Sequence, residues 1–270
     1  MKDDIDDFFN KIKEKVLTND ENIFKNLIGN GTIGNVYKIT NPETNKNFAL
    51  KIIAKTFSKE LINSFLNFSK KFKKPYFSKV YSFFESEDNY IIIMDYYEYN
   101  LNYFVKDGIS LKNIFKIIEK LNPILKELNS KNLYFRNLKP ENIFIINSNG
   151  NLDENFDIIL SDSCNIYIKL FYQYPKYFAF KNLFAPEIKI NNSLDAKSDL
   201  WSIGNLIFYM LFAIYNENNI YANIYFLDYK YLESINYNDF KKFLLKLMAK
   251  KVDLRIGWEQ YFEDFEIMKK

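Results

Sequence analysis

The hydrophobic positions in the first third of the chain predict an amphipathic helix, followed by a small sheet that carries a second helix. Within residues 1–22, Ile5, Phe8, Ile12 and Val16 recur at helical spacing and therefore share one face. Short runs of apolar residues bounded by turn residues then predict strands. The predicted strands cover 26–28, 36–40, 47–53, 79–85 and 90–94, and the second helix covers 58–73.

From residue 110 onward the apolar spacing changes to the helical period. It predicts long helices over 111–130, 198–215 and 237–250, with short strands near 143–146 and 158–161. The chain contains neither an internal repeat nor a low-complexity linker. The pattern therefore predicts a strand-rich first lobe and a helical second lobe, which meet at a hinge near 95–100.

Composition narrows the function classes. The net charge is only +3 with both signs interspersed, and no apolar run is long enough to span a bilayer, so we expect neither a nucleic-acid nor a membrane partner. The single cysteine, Cys164, cannot form an intrachain disulfide, which favours an intracellular location, cytoplasmic or nuclear. Histidine is absent, which excludes histidine catalysis. Arg136 and Arg255 are the only arginines beside 35 lysines, which suggests a need for bidentate geometry at both positions.

A glycine-rich turn lies between the first two predicted strands. Residues 29–36 read GNGTIGNV. Glycine lets a backbone fold closely over phosphate groups and point its N–H groups at them. Strands flank this turn on both sides, unlike the strand–turn–helix context of a Rossmann dinucleotide site. A plain glycine-rich hairpin is the alternative interpretation of this segment alone.

Five further segments follow it along the chain. They read FALK at 48–51, FRNLKPEN at 135–142, IILSDSC at 158–164, APE at 185–187 and SDLWSIG at 198–204. The order and spacing of the whole set resemble the motifs of the eukaryotic protein kinase superfamily, from about residue 22 to residue 265.

The resemblance implies a bilobal protein-kinase-like fold of the α+β class, with a small β-rich N-lobe carrying one main helix and a larger helical C-lobe. The corresponding domain boundaries are an N-terminal amphipathic extension at 1–22, a protein-kinase-like domain at 23–267, an N-lobe at 23–95 and a C-lobe at 100–267.

The resemblance also implies an ATP site. Lys51 takes the place of the lysine that holds the α and β phosphates, while Asn142 and Asp162 take the places of Mg²⁺ ligands. Taken alone, Lys51 could be a solvated strand lysine and Asp162 could cap a turn. The predicted nucleotide-binding residues are Ile28, Gly29, Gly31, Gly34, Val36, Ala49, Lys51, Met94, Asp95 and Phe144.

Four further residues have structural roles in the family that this chain resembles. The resemblance implies that Glu187 and Arg255 form a buried ion pair, and that Asp199 anchors the backbone of the catalytic loop. It also implies that Arg136 braces the activation segment.

The catalytic loop departs from the family pattern at the centre of the chemistry. Asn137 stands where the family has the aspartate that accepts the proton of the substrate hydroxyl, two positions before Lys139. A carboxamide can hold a hydroxyl by hydrogen bonding, but it cannot act as a base near neutral pH. Asn137 and Lys139 are therefore the predicted catalytic positions, with the base lost at the first.

Other departures point the same way. Phe65 takes the place of the helix glutamate that pairs with the phosphate-binding lysine, and Ser163 and Cys164 replace the phenylalanine and glycine that follow the metal-binding aspartate. Residues 179–183 also lack the substrate-docking threonine.

Three hypotheses follow. The leading one is a pseudokinase that binds ATP, with or without Mg²⁺, and acts as a scaffold or allosteric regulator. The second is a weakly active Ser/Thr protein kinase that uses Asn137 to orient the hydroxyl, and the third is an interaction module without nucleotide. A protein partner is expected through the aromatic-rich activation segment at 166–184 or the N-terminal helix, although the aromatic residues of that segment could equally fill the cleft between the lobes.

Overall fold

The computed structural model describes the chain in eleven ranges. They are 2–31, 34–57, 59–72, 74–105, 109–135, 138–146, 150–152, 155–161, 185–191, 195–212 and 238–269. Within them the chain forms two compact units, one running through Glu98 and the other starting at Tyr99. Among the helices within these eleven ranges, none is both long and apolar enough to cross a membrane.

The first unit is built on a five-stranded antiparallel sheet with the order β1-β2-β3-β5-β4. All five predicted strands are present, with ends that differ from the prediction by a few residues. The strands are β1 (Leu27–Gly31), β2 (Gly34–Thr40), β3 (Asn47–Ala54), β4 (Val80–Glu85) and β5 (Asn89–Asp95). Helix α2 (Lys59–Phe68) links β3 to β4 and continues into a 3₁₀ turn at Ser69–Lys71.

An amphipathic helix, α1 (Lys2–Leu17), packs against one face of this sheet. Its apolar side chains join the sheet residues in one core cluster, and the ring of Phe9 meets that of Phe48 edge-on with centroids 5.2 Å apart. The buried α1 side chains are Phe8, Phe9, Ile12 and Val16. Burying a large apolar side chain contributes about 1.5–3 kcal/mol, so α1 is part of the core of this unit.

The prediction that α1 extends to residue 22 is wrong. The helix ends at Leu17, because Thr18 Oγ1 donates back to the Glu14 carbonyl and Asn19 adopts a left-handed φ of 54°. The Asp20 carboxylate then accepts the backbone N–H of Asn22 at 3.0 Å and begins a 3₁₀ turn. Asparagine tolerates the left-handed conformation and aspartate caps turns, so these two residues together stop the helix.

The second unit is mainly helical and carries a small antiparallel sheet with the order β6-β7-β8. Its strands are β6 (Tyr99–Asn100), β7 (Ile143–Ile146) and β8 (Asp157–Leu160). Its helices are α3 (Leu101–Val105), α4 (Leu111–Ser130), α5 (Pro186–Asn191), α6 (Ser198–Phe212), α7 (Asn238–Leu247) and α8 (Trp258–Met268). Short 3₁₀ turns lie at Pro140–Asn142 and Val252–Leu254.

The predicted helix over 111–130 is confirmed as α4 at both ends. The predicted helix over 198–215 is confirmed from its start through Phe212 as α6, and 213–215 lie outside the described ranges. The predicted helix over 237–250 is confirmed as α7, but it ends at Leu247 and not at 250. Helices α6 and α7 approach closely at Gly204, where an added Cβ would lie 2.5 Å from Met248 Cγ. A larger residue at Gly204 would therefore require the Met248 side chain, just past the end of α7, to move.

A buried ion pair joins three segments of the second unit. Arg255 donates from Nη1 to Glu187 Oε1 at 2.7 Å and from Nη2 to Glu187 Oε2 at 2.9 Å. The hydroxyl of Ser198 donates to the same carboxylate at 2.9 Å, and the guanidinium also donates to the carbonyls of Ala249 and Lys197. The predicted Glu187–Arg255 pair is confirmed, and its bidentate fork requires arginine.

Replacing Arg255 with methionine should lower the free energy of unfolding by about 3–5 kcal/mol, because it leaves the Glu187 carboxylate buried without its countercharge. Arg255→Lys should also destabilise, since lysine cannot form the fork. Chemical denaturation provides the measurement. Lys242→Met is the control, because its ion pair with Asp239 is exposed and should contribute about 1 kcal/mol or less. Equal stability of Arg255→Met and the parent chain would contradict this role.

The same pair should make stability fall in acid. Burial alone would raise the pKa of the Glu187 carboxyl, but the hydrogen bonds from Arg255 and Ser198 outweigh it and hold the pKa below its ordinary value. A carboxyl with a lowered folded-state pKa contributes its full stabilisation above its unfolded-state pKa, and loses it as the pH falls through the folded-state value. The free energy of unfolding should therefore decrease more steeply from about pH 6 to about pH 3 in the parent than in Glu187→Gln. Identical pH profiles would contradict the lowered pKa.

Candidate functional site

The nucleotide-binding residues predicted in the first unit lie on the sheet and on its glycine turn. Gly29 and Gly31 lie in β1, Gly34 opens β2, and residues 32 and 33 lie outside the described ranges. An added Cβ at Gly34 would lie 1.9 Å from the carbonyl oxygen of Ile52, so no other residue fits there. At Gly29 the added atom would make an ordinary contact of 3.7 Å with Val36. Close strand packing therefore explains Gly34 without reference to a ligand, whereas packing does not require glycine at Gly29.

Four of the predicted binding residues share one sheet face. Val36 pairs directly with Lys51, and Ala49 pairs directly with Met94, and directly paired residues project to the same side. Alternation along β3 puts Lys51 and Ala49 on the face opposite α1. Lys51 is 3% exposed, so its aliphatic stem is buried beside these apolar side chains. Ile28 lies in β1 and is half exposed.

The side chain of Asp95 lies on the other face. Asp95 pairs with Phe48, which packs against α1, so its carboxylate projects away from the face that carries Lys51. That carboxylate accepts the Tyr81 hydroxyl at 2.7 Å, the Tyr97 hydroxyl at 3.1 Å and the backbone N–H of Lys79 at 3.1 Å. Burial first and the Asp95 carboxylate second raise the pKa of both tyrosines above its ordinary value. The two phenols therefore remain protonated donors at neutral pH.

The catalytic-loop residues of the second unit are held through the backbone. The carboxylate of Asp199, at the start of α6, accepts the N–H of Phe135 at 2.7 Å, and both residues are buried. This bond confirms the predicted anchoring of the loop. Arg136 and Asn137 follow at once but lie outside the described ranges.

Lys139, Asn142 and Phe144 lie on the segment that leads from this loop into β7. Lys139 precedes the 3₁₀ turn, and its carbonyl accepts the N–H of Asn142 at 2.9 Å. The carbonyl of Asn142 in turn accepts the N–H of Ser161 at 2.9 Å. Phe144 is half buried and pairs with Ile159 across β7 and β8.

Asn142 is therefore tied to the residue that immediately precedes Asp162, which itself lies outside the described ranges. A carboxamide oxygen and a carboxylate are both hard oxygen ligands, so this pair of residue types fits Mg²⁺. Within the described ranges, no group of three or more acidic or cysteine side chains is placed to hold a metal ion.

Four other predictions concern side chains or segments outside the described ranges. The side chain of Phe65 is not described, although its backbone lies within α2. The segments at 163–164, 166–184 and 179–183 lie outside the described ranges altogether.

Sequence reasoning also missed Tyr81 and Tyr97 as partners of Asp95. Among 21 tyrosines nothing in their local pattern marks these two. Tyr81 reaches Asp95 from the neighbouring strand β4, and Tyr97 reaches it from the segment just past the end of β5.

Comparisons with known proteins agree with this arrangement. The family described as "Protein kinase domain" matches residues 23–265. A probable serine/threonine-protein kinase of Dictyostelium discoideum is 27% identical over 202 residues, which cover 70% of this chain and 42% of that protein. Calcium-dependent protein kinase 5 of Plasmodium berghei is 28% identical over 216 residues, which cover 74% of this chain and 37% of the relative. The chain thus spans about two fifths of the length of these curated relatives.

Among solved structures, the crystal structure of Rad53 1–466 in complex with AMP-PNP superimposes with a TM-score of 0.68. It covers 91% of this chain and 64% of the Rad53 chain, at 20% sequence identity, so the likeness concerns the fold. The predicted bilobal α+β fold is confirmed. Since the family match extends over most of its length, the chain belongs to the eukaryotic-type protein kinase superfamily.

Proposed function

We propose that this protein is a pseudokinase, an ATP-binding protein-kinase domain that acts as a scaffold or allosteric regulator. The observation that carries the proposal is Asn137 at the position of the catalytic base. Support for nucleotide binding comes from the shared sheet face of Val36, Ala49, Lys51 and Met94. On this proposal Lys51 contacts the nucleotide phosphates, and the three apolar side chains contact the base.

Magnesium would be held by Asn142 and Asp162, whose oxygens suit a hard divalent ion. It would supply charge neutralisation between the nucleotide phosphates. The proposed role for Asn142 is supported by its buried position and by the backbone bond that ties it to Ser161.

The second candidate is a weakly active Ser/Thr kinase. It is favoured by the Asp199–Phe135 bond, which anchors the loop that carries Asn137. A positioned general base contributes about 10²–10⁴-fold in rate, equivalent to about 3–5 kcal/mol of barrier. Phosphoryl transfer depends mainly on positioning and electrostatics, so a loop held in place without its base retains part of the catalytic effect.

Both candidate functions, the pseudokinase and the weakly active kinase, involve a protein partner. The apolar face of α1 is buried against its own sheet, so a partner would meet only the polar face of that helix. The activation segment at 166–184 is therefore the favoured partner surface among the two predicted. An intracellular location, argued from the single cysteine, stays a prediction.

Saturating nucleotide should stabilise the fold. ATP at about 100 times its dissociation constant should add about 2.7 kcal/mol to the free energy of unfolding, measured by thermal shift with and without Mg²⁺. Lys51→Met should reduce this gain, because it removes the proposed phosphate contact while keeping the buried stem. Lys55→Met is the matched control, since Lys55 lies just past the end of β3 and pairs with Glu85. A melting temperature that ATP leaves unchanged under both conditions excludes nucleotide binding and favours the interaction module.

Restoring an aspartate at position 137 should not by itself restore kinase activity. Asn137→Asp should stay far below the activity of a fully equipped kinase, because Phe65 and the altered segment at 179–183 remain. The measurement is transfer of radiolabelled phosphate to generic peptides, with Lys51→Met as background. Robust transfer by Asn137→Asp would contradict this expectation. Transfer by the parent above background, lost in Asn137→Ala, would support the weak kinase instead.

A further inference from the structure

The described chain passes from the first unit to the second between Glu98 and Tyr99, a few residues after β5 ends at Asp95. Four residues surround this exit and form a hydrogen-bonded cluster, the hinge network: Lys79, Tyr81, Asp95 and Tyr97. The Asp95 carboxylate receives three donors, and the backbone N–H of Asp95 donates to the Lys79 carbonyl at 3.0 Å.

One member of the network is fixed by packing. The Tyr81 ring meets Phe48 edge-on with centroids 5.3 Å apart and contacts Phe9 of α1 at 5.8 Å. The ammonium groups of Lys46 and Lys79 lie 5.3 and 4.7 Å from the same ring. An aromatic ring held on several sides has little rotational freedom, so its hydroxyl presents a fixed donor to Asp95.

The network reaches beyond the sheet. Strands β4 and β5 are already joined by their own ladder, in which Val80 pairs with Met94, so the sheet does not depend on the Asp95 side chain for its pairing. Tyr97 lies two residues past the end of β5, and its hydroxyl returns to Asp95. The Asp95–Tyr97 bond therefore restrains the segment after the sheet.

The same segment is held from the opposite sheet face as well. Lys38 pairs with Ala49 and so shares the face of Lys51, and its ammonium lies 4.7 Å from the centre of the Tyr96 ring. Successive residues, Asp95 and Tyr96, are thus restrained by side chains from the two faces. The contacts of the Asp95 side chain lie on the sheet face away from the proposed nucleotide, whereas Lys38, which contacts Tyr96, lies on the same face as Lys51.

We propose that Asp95, through Tyr81 and Tyr97, positions the backbone of residues 95–97 against the adenine base. This assignment rests on the proposed ATP binding. Asp95 is a positioning residue whose carboxylate does not touch the nucleotide, and Met94 beside it supplies the apolar contact. Alpha-helix α1 contributes indirectly, because Phe9 packs against the tyrosine that orients Asp95.

Three variants of the full chain test the assignment: Tyr81→Phe, Tyr97→Phe and Asp95→Asn. The first two each remove one hydroxyl and keep the ring. The matched control is Tyr37→Phe, which removes a phenol from β2 that bonds Asn35, away from the hinge. Dissociation constants for ATP and for adenosine, which lacks phosphates, are measured below the unfolding range of every variant, alongside the melting temperature.

Tyr97→Phe and Asp95→Asn should weaken ATP and adenosine by the same factor, about five- to tenfold for the loss of one hydrogen bond that orders the site. Tyr37→Phe should change neither constant. Lys51→Met should weaken ATP and leave adenosine unchanged, which separates base contacts from phosphate contacts. Should Asp95→Asn fail to fold, Tyr97→Phe decides the matter, because it deletes a single oxygen atom.

Hinge variants that melt earlier yet bind both ligands like the parent would overturn the assignment, since the network would then serve stability alone. Weaker binding of ATP with unchanged adenosine would overturn it too, because the effect would arise at the phosphates. If the parent itself binds neither ligand, the proposed ATP binding fails and this assignment fails with it.

Discussion

Strand β3 imposes the constraint on which the first unit depends. Its side chains alternate, so Phe48 and Leu50 enter the core with α1 while Ala49 and Lys51 project to the other face. A one-residue slip in register would exchange these sets, placing a lysine in the aromatic cluster and phenylalanine on the face that now carries Lys51. The burial of Phe48 therefore fixes the position of Lys51, and the helix at the N-terminus helps to set the chemistry of the opposite face.

In the second unit, contacts of buried charged side chains take the role that side-chain alternation along β3 has in the first. The Glu187–Arg255 pair and the Asp199–Phe135 bond both link residues that are more than 60 positions apart in the chain. A buried ion pair adds little net stability against an apolar replacement, but removing one partner is costly. Such contacts therefore restrict which arrangements of segments are tolerated. In this chain their partners Phe135 and Glu187 flank, along the sequence, the region that contains residues 136–137 and 162–184.

Structure that is set by the local apolar pattern could be predicted from the sequence, whereas most contacts between residues far apart in the chain could not. Apolar periodicity sets helix α4 and the sheet strands locally, and their existence was predictable from the chain. The end of α1 was missed because Asn19 and Asp20 act through local hydrogen bonds that compete with the helix, a signal that periodicity does not contain. The Glu187–Arg255 pair was predictable because arginine is rare here and the family resemblance supplied a partner. The Asp95 contacts were not, because choosing Tyr81 requires the pairing of β4 with β5, and choosing Tyr97 requires the path of the chain after β5.

Which residues of the family motifs this chain has, and which it replaces, bears on its function. By the resemblance, the buried residues Arg255, Asp199 and Lys51 match the family motifs, while Asn137 stands at the position of the proton-accepting aspartate. Losing one partner of a buried charged contact is costly, so the fold requires Arg255 and Asp199 whether or not phosphate is transferred. A fold maintained for binding would keep them and would tolerate a carboxamide at Asn137. The packing of α1 adds a limit on where such binding occurs, because the sheet face opposite Lys51 is already covered by the chain itself. On the proposed function, a partner would therefore meet other surfaces than this sheet face, and nucleotide would bind on the face that carries Lys51.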